Sequence, residues 1–221
     1  MANPIPDAIE QYATVVGPDG DDVLAEMDDY AEREGFPTVG PAVGGWLELL
    51  ARMVDTERVF EFGSGYGYSA YWFCRALDGD GEIVLTEVDE DELDMAREYL
   101  DRGDFAATAH FELGDAIETI EEYDGPFDVV LIDNEKDRYR EAFESVREKV
   151  APGGVVLADN AVAGGTIVME DVQRLLEGED VDTDGMSRGI ADYIEGVRDD
   201  PEFRTTLLPV GEGVAVSYRV E

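Results

Sequence analysis

An α/β sandwich built on a mostly parallel sheet is predicted by three observations. Apolar runs of strand length alternate with segments of helical period, one such run ends in three alternate glycines, and two β-rich runs near the end flank Gly211-Glu212-Gly213, a hairpin signal. With 221 residues, 44% of them hydrophobic, and no Pro/Ser-rich linker or internal repeat, the chain reads as one domain. Residues 1–56 are expected to form cap helices and a flap, and residues 57–221 the core.

Asp7–Val16 and residues 21–33 have the spacing of acidic amphipathic helices, separated by the turn Gly17-Pro18-Asp19-Gly20. Gly35-Phe36-Pro37-Thr38-Val39-Gly40-Pro41 is too rich in Gly and Pro for a helix and can act as a flap before the apolar helix predicted over 43–53. Val59-Phe60-Glu61-Phe62-Gly63-Ser64-Gly65-Tyr66-Gly67-Tyr68-Ser69 then reads as a strand, a tight loop and a helix start. Glycines there allow positive φ and let a ligand approach the backbone, although a triplet alone also fits a plain structural turn. The spacing G-x-G-x-G departs from the G-x-G-x-x-G of dinucleotide sites and argues against a nicotinamide or flavin dehydrogenase.

Glu82-Ile83-Val84-Leu85-Thr86 is a second buried strand that ends at Glu87, about 20 positions past the loop, where a carboxylate can accept both ribose hydroxyls. Together, Glu61-Phe62-Gly63-Ser64-Gly65-Tyr66-Gly67-Tyr68-Ser69 and Glu87 resemble the S-adenosylmethionine loop of the catechol and caffeoyl-CoA type O-methyltransferases. The resemblance runs from about residue 35 to 220. It implies a Rossmann-like seven-stranded sheet whose last strand is antiparallel. It also implies a methyl donor held by Glu61, Gly63, Gly65, Gly67, Ser69, Glu87, Asp115 and Asp133, and a flap bordering the donor and substrate sites.

A helix over 89–100 and a strand, Ala107-Thr108-Ala109-His110-Phe111-Glu112-Leu113, lead to Gly114-Asp115-Ala116. The family's equivalent G-D-A implies a hydrogen bond from the adenine amino group to Asp115. Asp115 equally suits the N-cap of a helix over 116–121, and both roles can hold at once. Phe127-Asp128-Val129-Val130-Leu131-Ile132 and Gly154-Val155-Val156-Leu157-Ala158 are nearly continuous apolar runs, as buried parallel strands are, and they end in Asp133 and Asp159-Asn160. A helix over 137–150, stopped by Ala151-Pro152-Gly153-Gly154, would make these a βαβ unit with both ends at one sheet edge. Two carboxylates and an amide oxygen there can converge on one ion, and an all-oxygen set suits Mg²⁺, Ca²⁺ or Mn²⁺.

Lys136 follows Asp133 by three positions and is one of only two lysines, with Lys149. A neighbouring cation can depress a lysine pKa, whereas arginine stays protonated; a solvated surface lysine is the bland alternative. The segment Ile132-Asp133-Asn134-Glu135-Lys136-Asp137-Arg138-Tyr139 is similar to that of catechol O-methyltransferases. The similarity implies that Asp133 binds Mg²⁺ and Lys136 removes the hydroxyl proton. Asn134 and Glu135 depart from the Asp-Ala-Asp-Lys form of many microbial relatives. Residues 164–176 read as loop and helix, 177–184 as an acidic mobile insertion and 189–197 as a helix at the substrate mouth. No glutamate for a second catechol hydroxyl is identifiable there.

The 54 acidic against 16 basic residues give a net charge of −38, which disfavours a polyanion partner such as nucleic acid. At molar salt the Debye length falls to ~3 Å, so this balance suits a protein from a halophile. Cys74 and His110 are the only residues of their types, which excludes an intramolecular disulfide, a Cys/His zinc cluster and a histidine triad. Both read as structural. No apolar stretch reaches transmembrane length and the N-terminus has no leader pattern, so a cytoplasmic protein is expected, as a homodimer.

The expected activity is S-adenosylmethionine-dependent, metal-assisted O-methylation of a small hydroxylated, catechol-like acceptor. Methylation of a hydroxylated tRNA base and non-catalytic binding of an adenosine ligand are the alternatives.

Overall fold

The computed structural model describes residues 4–220, so the ends of the 1–221 domain reading, residues 1–3 and 221, lie outside the described residues. In chain order the elements are α1 (Asp7–Val16), α2 (Asp22–Glu34), α3 (Gly40–Met53), β1 (Arg58–Phe62), α4 (Tyr68–Cys74), β2 (Glu82–Glu87), α5 (Glu90–Gly103), β3 (Thr108–Leu113) and α6 (Ala116–Thr119). They continue with β4 (Phe127–Ile132), α7 (Tyr139–Val146), β5 (Val150–Ala158), α8 (Met169–Leu176), α9 (Gly185–Asp199), β6 (Phe203–Leu208) and β7 (Val214–Arg219). One seven-stranded sheet runs β3-β2-β1-β4-β5-β7-β6, with β7 antiparallel to both neighbours and the other pairs parallel. This is the Rossmann-like α/β sandwich expected.

Side-chain alternation along the strands divides the interior into two cores. Val59, Ile83, Leu85, Val129, Leu131, Val155 and Leu157 pack with α2, α3, α4 and α5. The opposite face, with Phe60, Phe62, Val84, Val130, Ile132 and Val156, packs with α7, α8 and α9. Acidic side chains serve this frame as caps: Asp21, Asp89 and Asp184 accept from the first free N–H groups of α2, α5 and α9. Cys74 is buried in α4, and His110 lies on β3 with its ring 6.4 Å from that of Tyr123.

The structure departs from the sequence reading in four places. The helix predicted over 137–150 is shorter: a 3₁₀ turn (Lys136–Arg138) precedes α7, and a second one (Arg147–Lys149) follows it. β5 already begins at Val150 and runs through the Pro-Gly-Gly predicted to be a stop; a register shift between Phe127 and Val129 absorbs the extra residues. α3 begins at Gly40, with Pro41 in the first turn, where a missing N–H is no loss. The segment 177–184 is tied down rather than loose, because Val181 is buried and its carbonyl accepts from Arg188 Nη2 at 2.6 Å.

Candidate active site

The C-terminal ends of β1, β2, β4 and β5 open onto a cleft of about 500 Å³. Its floor is the turn after β1, where Gly63, Gly65 and Gly67 have φ of 81°, 49° and 86°. Glycine is required twice over at Gly63, since a Cβ would lie 2.8 Å from the Asp133 carbonyl oxygen. The β1 and β4 loops can meet only because that side chain is missing. Gly67 serves packing instead, its Cα pressed onto α5 where a Cβ would meet that of Ala96 at 2.8 Å.

Glu87 ends β2 with its carboxylate drawn onto this turn. Oε2 accepts from the Gly65 N–H at 2.9 Å, while Oε1 accepts from Val88 and Asp89 N–H at 2.7 and 3.1 Å. A carboxylate has about four lone-pair sites, so capacity for ligand hydroxyls remains. Glu92 lines the same wall, and its carboxyl is raised to about 7 by burial and by the charges of Glu87 and Asp89. Across the cleft, Asp115 caps α6 through Ile117 N–H at 2.8 Å and pairs with Arg138 Nη1 at 2.7 Å, an interaction that pulls its carboxyl below the ordinary range. Phe36, Pro37, Thr38 and Val39 close the top, where Phe36 packs edge-on against Tyr66 with centroids 4.9 Å apart.

Asp133 and Asp159 stand at the ends of neighbouring parallel strands, whose last pair is Ile132 with Ala158. Lys136, on the 3₁₀ turn, donates from Nζ to Asp133 Oδ1 at 2.7 Å and lies 5.1 Å from the centre of the Tyr139 ring. The Tyr139 hydroxyl also donates to Asp133 Oδ1, at 3.4 Å. Enclosure raises the Asp133 carboxyl, against the pull of Lys136, and burial followed by the Asp133 charge raises that of Asp159. Asp159 is 5% exposed and its Oδ1 has no hydrogen-bond partner.

Among the described residues no three His, Cys, Asp or Glu side chains are grouped to hold a metal; the oxygen-bearing side chains at these strand ends are Asp133, Asp159 and Asn160. All-oxygen donors, one of them a buried carboxylate oxygen left unpaired, fit a hard divalent cation. Glu61 shows the same signature below the cleft. It is fully buried, neither oxygen has a hydrogen-bond partner of good geometry, and burial pushes its carboxyl up to about 8, opposed only by the nearby Ser69 hydroxyl.

Of the residues singled out in the sequence, Gly63, Gly65, Ser69, Glu87, Asp115, Asp133, Lys136, Asp159 and Asn160 line this one cleft, while Glu61 and Gly67 lie outside its wall. Sequence reasoning missed Glu92, Arg138, Met186 and Glu212, which also line it. Arg138 carried a signal, being two residues past Lys136 on the same turn; Glu212 carried only that of a hairpin turn.

Residues 20–220 match the profile of the family described as O-methyltransferase. The chain belongs to that family. Among curated members, the catechol O-methyltransferase of Niastella koreensis is 32% identical over an alignment covering 77% of this chain and 80% of that protein. Caffeoyl-CoA O-methyltransferase 2 of Petunia hybrida is 22% identical, with 97% and 91% of the two chains covered. The O-methyltransferase of Bacillus cereus, solved in complex with SAH, superposes with a TM-score of 0.79 at 25% identity, covering 96% of this chain and 97% of that one. The fold of TomG from Streptomyces achromogenes, solved with SAM, is also shared, with a TM-score of 0.81 at 24% identity and coverage of 97% and 96%.

Proposed function

We propose that this O-methyltransferase moves a methyl group from S-adenosylmethionine to one hydroxyl of a small aromatic vicinal diol, with Lys136 as general base beside a divalent-cation site. The observation that carries the reading is the juxtaposition of Lys136 Nζ, 2.7 Å from Asp133 Oδ1, with the unpartnered Asp159 Oδ1, in the cleft that the glycine turn and Glu87 also line. The similarity to a catechol O-methyltransferase and to neighbours solved with SAM and SAH supports the donor and the acceptor class.

When bound, the donor supplies an electrophilic methyl group and a cation such as Mg²⁺ supplies polarisation of the acceptor hydroxyl. Asp133, Asp159 and Asn160 would hold the cation. Glu87 would take the ribose hydroxyls, with Gly63, Gly65 and Ser69 against the donor, Glu61 beneath them and Asp115 at the adenine end. Lys136 Nζ accepts the hydroxyl proton, steered by Asp133 and the Tyr139 ring. The flap at Phe36–Val39 would exclude water and, with the cleft, align acceptor oxygen and methyl. The net charge of −38 supports adaptation to molar salt, and Ile9, Tyr12, Val15 and Val16, exposed on α1, support a homodimer.

The test is a screen of diphenols, monophenols and their methyl ethers with S-adenosylmethionine, in Mg²⁺ and in EDTA. Methylated product from vicinal diols, abolished by EDTA while SAH binding persists, is the expected result. Full turnover in EDTA would refute metal assistance, and turnover of monophenols alone would refute the diol.

A further inference from the structure

Asn160 is the one candidate ligand whose donor atom depends on a rotation. An amide offers a cation its oxygen but not its NH₂, and the two ends are nearly the same size. Asn160 also sits at a φ of 56°, in the left-handed region, immediately after the strand that delivers Asp159. Its Nδ2 donates to Glu212 Oε2 in a very short contact.

Glu212 is itself rigidly placed at the tip of the β6–β7 hairpin. Its carbonyl accepts from Val162 and Ala163 N–H at 3.0 and 2.9 Å, and the Gly213 carbonyl accepts from Ala161 N–H at 2.8 Å. Gly213, with φ of 86°, lies so close to Val162 that a Cβ would overlap its side chain. The hairpin backbone therefore holds Glu212 at the strand end, with its carboxylate in reach of Asn160. Gly164 leaves the room, since a Cβ there would stand 2.6 Å from Glu212 Oε2 and 2.7 Å from Asn160 Nδ2.

We propose that Glu212 is a positioning residue for the cation site, holding the Asn160 NH₂ so that the amide oxygen is that side chain's free ligand atom. The inference rests on the cation reading above. It assigns a function to a residue outside the sequence motifs, some fifty positions further along the chain. Its carboxylate also adds a second negative charge, after that of Asp133, to the field felt by Asp159. The buried Asp159 Oδ1, aimed at no protein group, independently marks the place where a ligand is wanted.

Titration of Mn²⁺ alone into the donor-free protein at fixed molar KCl, followed by calorimetry or by the electron paramagnetic signal of free Mn²⁺, tests this directly. Glu212→Ala should weaken Mn²⁺ binding at least about 10-fold, as loss of a partner that orients a ligand does. Glu212→Gln keeps an acceptor for the Asn160 NH₂ at nearly the same size, and should weaken it no more than about threefold. SAH affinity should stay within about twofold in both, which also reports that they fold.

Wild-type Mn²⁺ affinity in Glu212→Ala would overturn the assignment while leaving the cation reading intact. Should the alanine variant not fold, Glu212→Gln decides, because a loss above about 10-fold with the hydrogen bond preserved would leave only charge and no orienting role. A wild-type protein that binds no Mn²⁺ would refute the cation reading itself, and this inference with it.

Discussion

Replacing Lys136 by arginine separates a base from a charge. Lys136 Nζ lies 2.7 Å from Asp133 Oδ1, with the two side chains 17% and 27% exposed. Arginine can keep that ion pair, so the stability of the fold should change by no more than about 1 kcal/mol. It cannot surrender its proton at any working pH, however, and a positioned general base is worth ~10²–10⁴ in rate, or about 2.7–5.4 kcal/mol of barrier. Turnover with catechol at saturating S-adenosylmethionine should therefore fall at least ~10²-fold, with the SAH dissociation constant unchanged within about twofold. Lys136→Met gives the contrast. It strands Asp133 beside Asp159 and should also destabilise the protein, by about 1–3 kcal/mol after allowing for partial exposure. A Lys136→Arg enzyme with more than about one tenth of wild-type turnover would return this lysine to a purely electrostatic role.

Glu87→Ala removes the acceptor of three backbone N–H groups together with the ribose contact, and should weaken SAH binding by about 1.5–3 kcal/mol in calorimetry; unchanged affinity would sink the ribose assignment. Glu61 has a folded pKa raised from 4.5 to about 8, so the native state holds a proton that the unfolded chain releases, and this contribution to stability is lost as pH rises through that window. Glu61→Gln should match the wild type near pH 5 and gain on it up to pH 8, by at most about 1.4 kcal/mol per unit; parallel denaturation curves would refute the buried-proton account. If the charge of −38 reflects adaptation to salt, the melting temperature should climb steeply with KCl into the molar range, and a flat dependence would count against it.

The parts of this site legible in the sequence are those whose signal is local. The turn after β1 was readable because alternate glycines follow an apolar run, and the Asp133/Asp159 pair because β4 and β5 are apolar almost throughout and end in acids. The start of β5 was not readable, since Pro152-Gly153-Gly154 looks like a stop until the register shift opposite Phe127 and Val129 is known. Gly154 is needed there because a Cβ would meet the Asp128 carbonyl oxygen at 2.7 Å, a contact 26 positions away in sequence that no periodicity encodes. The role of Glu212 was hidden for the same reason. Gly-Glu-Gly is the same turn whether it faces solvent or a strand end, and only the pairing of β5 with β7 decides which. Asp115 was legible as a cap, but its ion pair with Arg138 spans two loops and was not.

The position of β7, between β5 and β6, bears on how the protein is made. Until β7 leaves the ribosome, β5 presents an open, apolar edge on the side away from β4, because there Val155, Val156, Leu157 and Ala158 pair with Tyr218, Ser217, Val216 and Ala215. From the completion of β5 (Val150–Ala158) until β7 (Val214–Arg219) emerges, the nascent chain thus carries an aggregation-prone edge, and closure waits on the final segment. A chain ending at residue 202 should retain the glycine turn and both strand-end aspartates yet collect in the insoluble fraction. Soluble, SAH-binding material from that truncation would show that the parallel half of the sheet can stand without its closing hairpin.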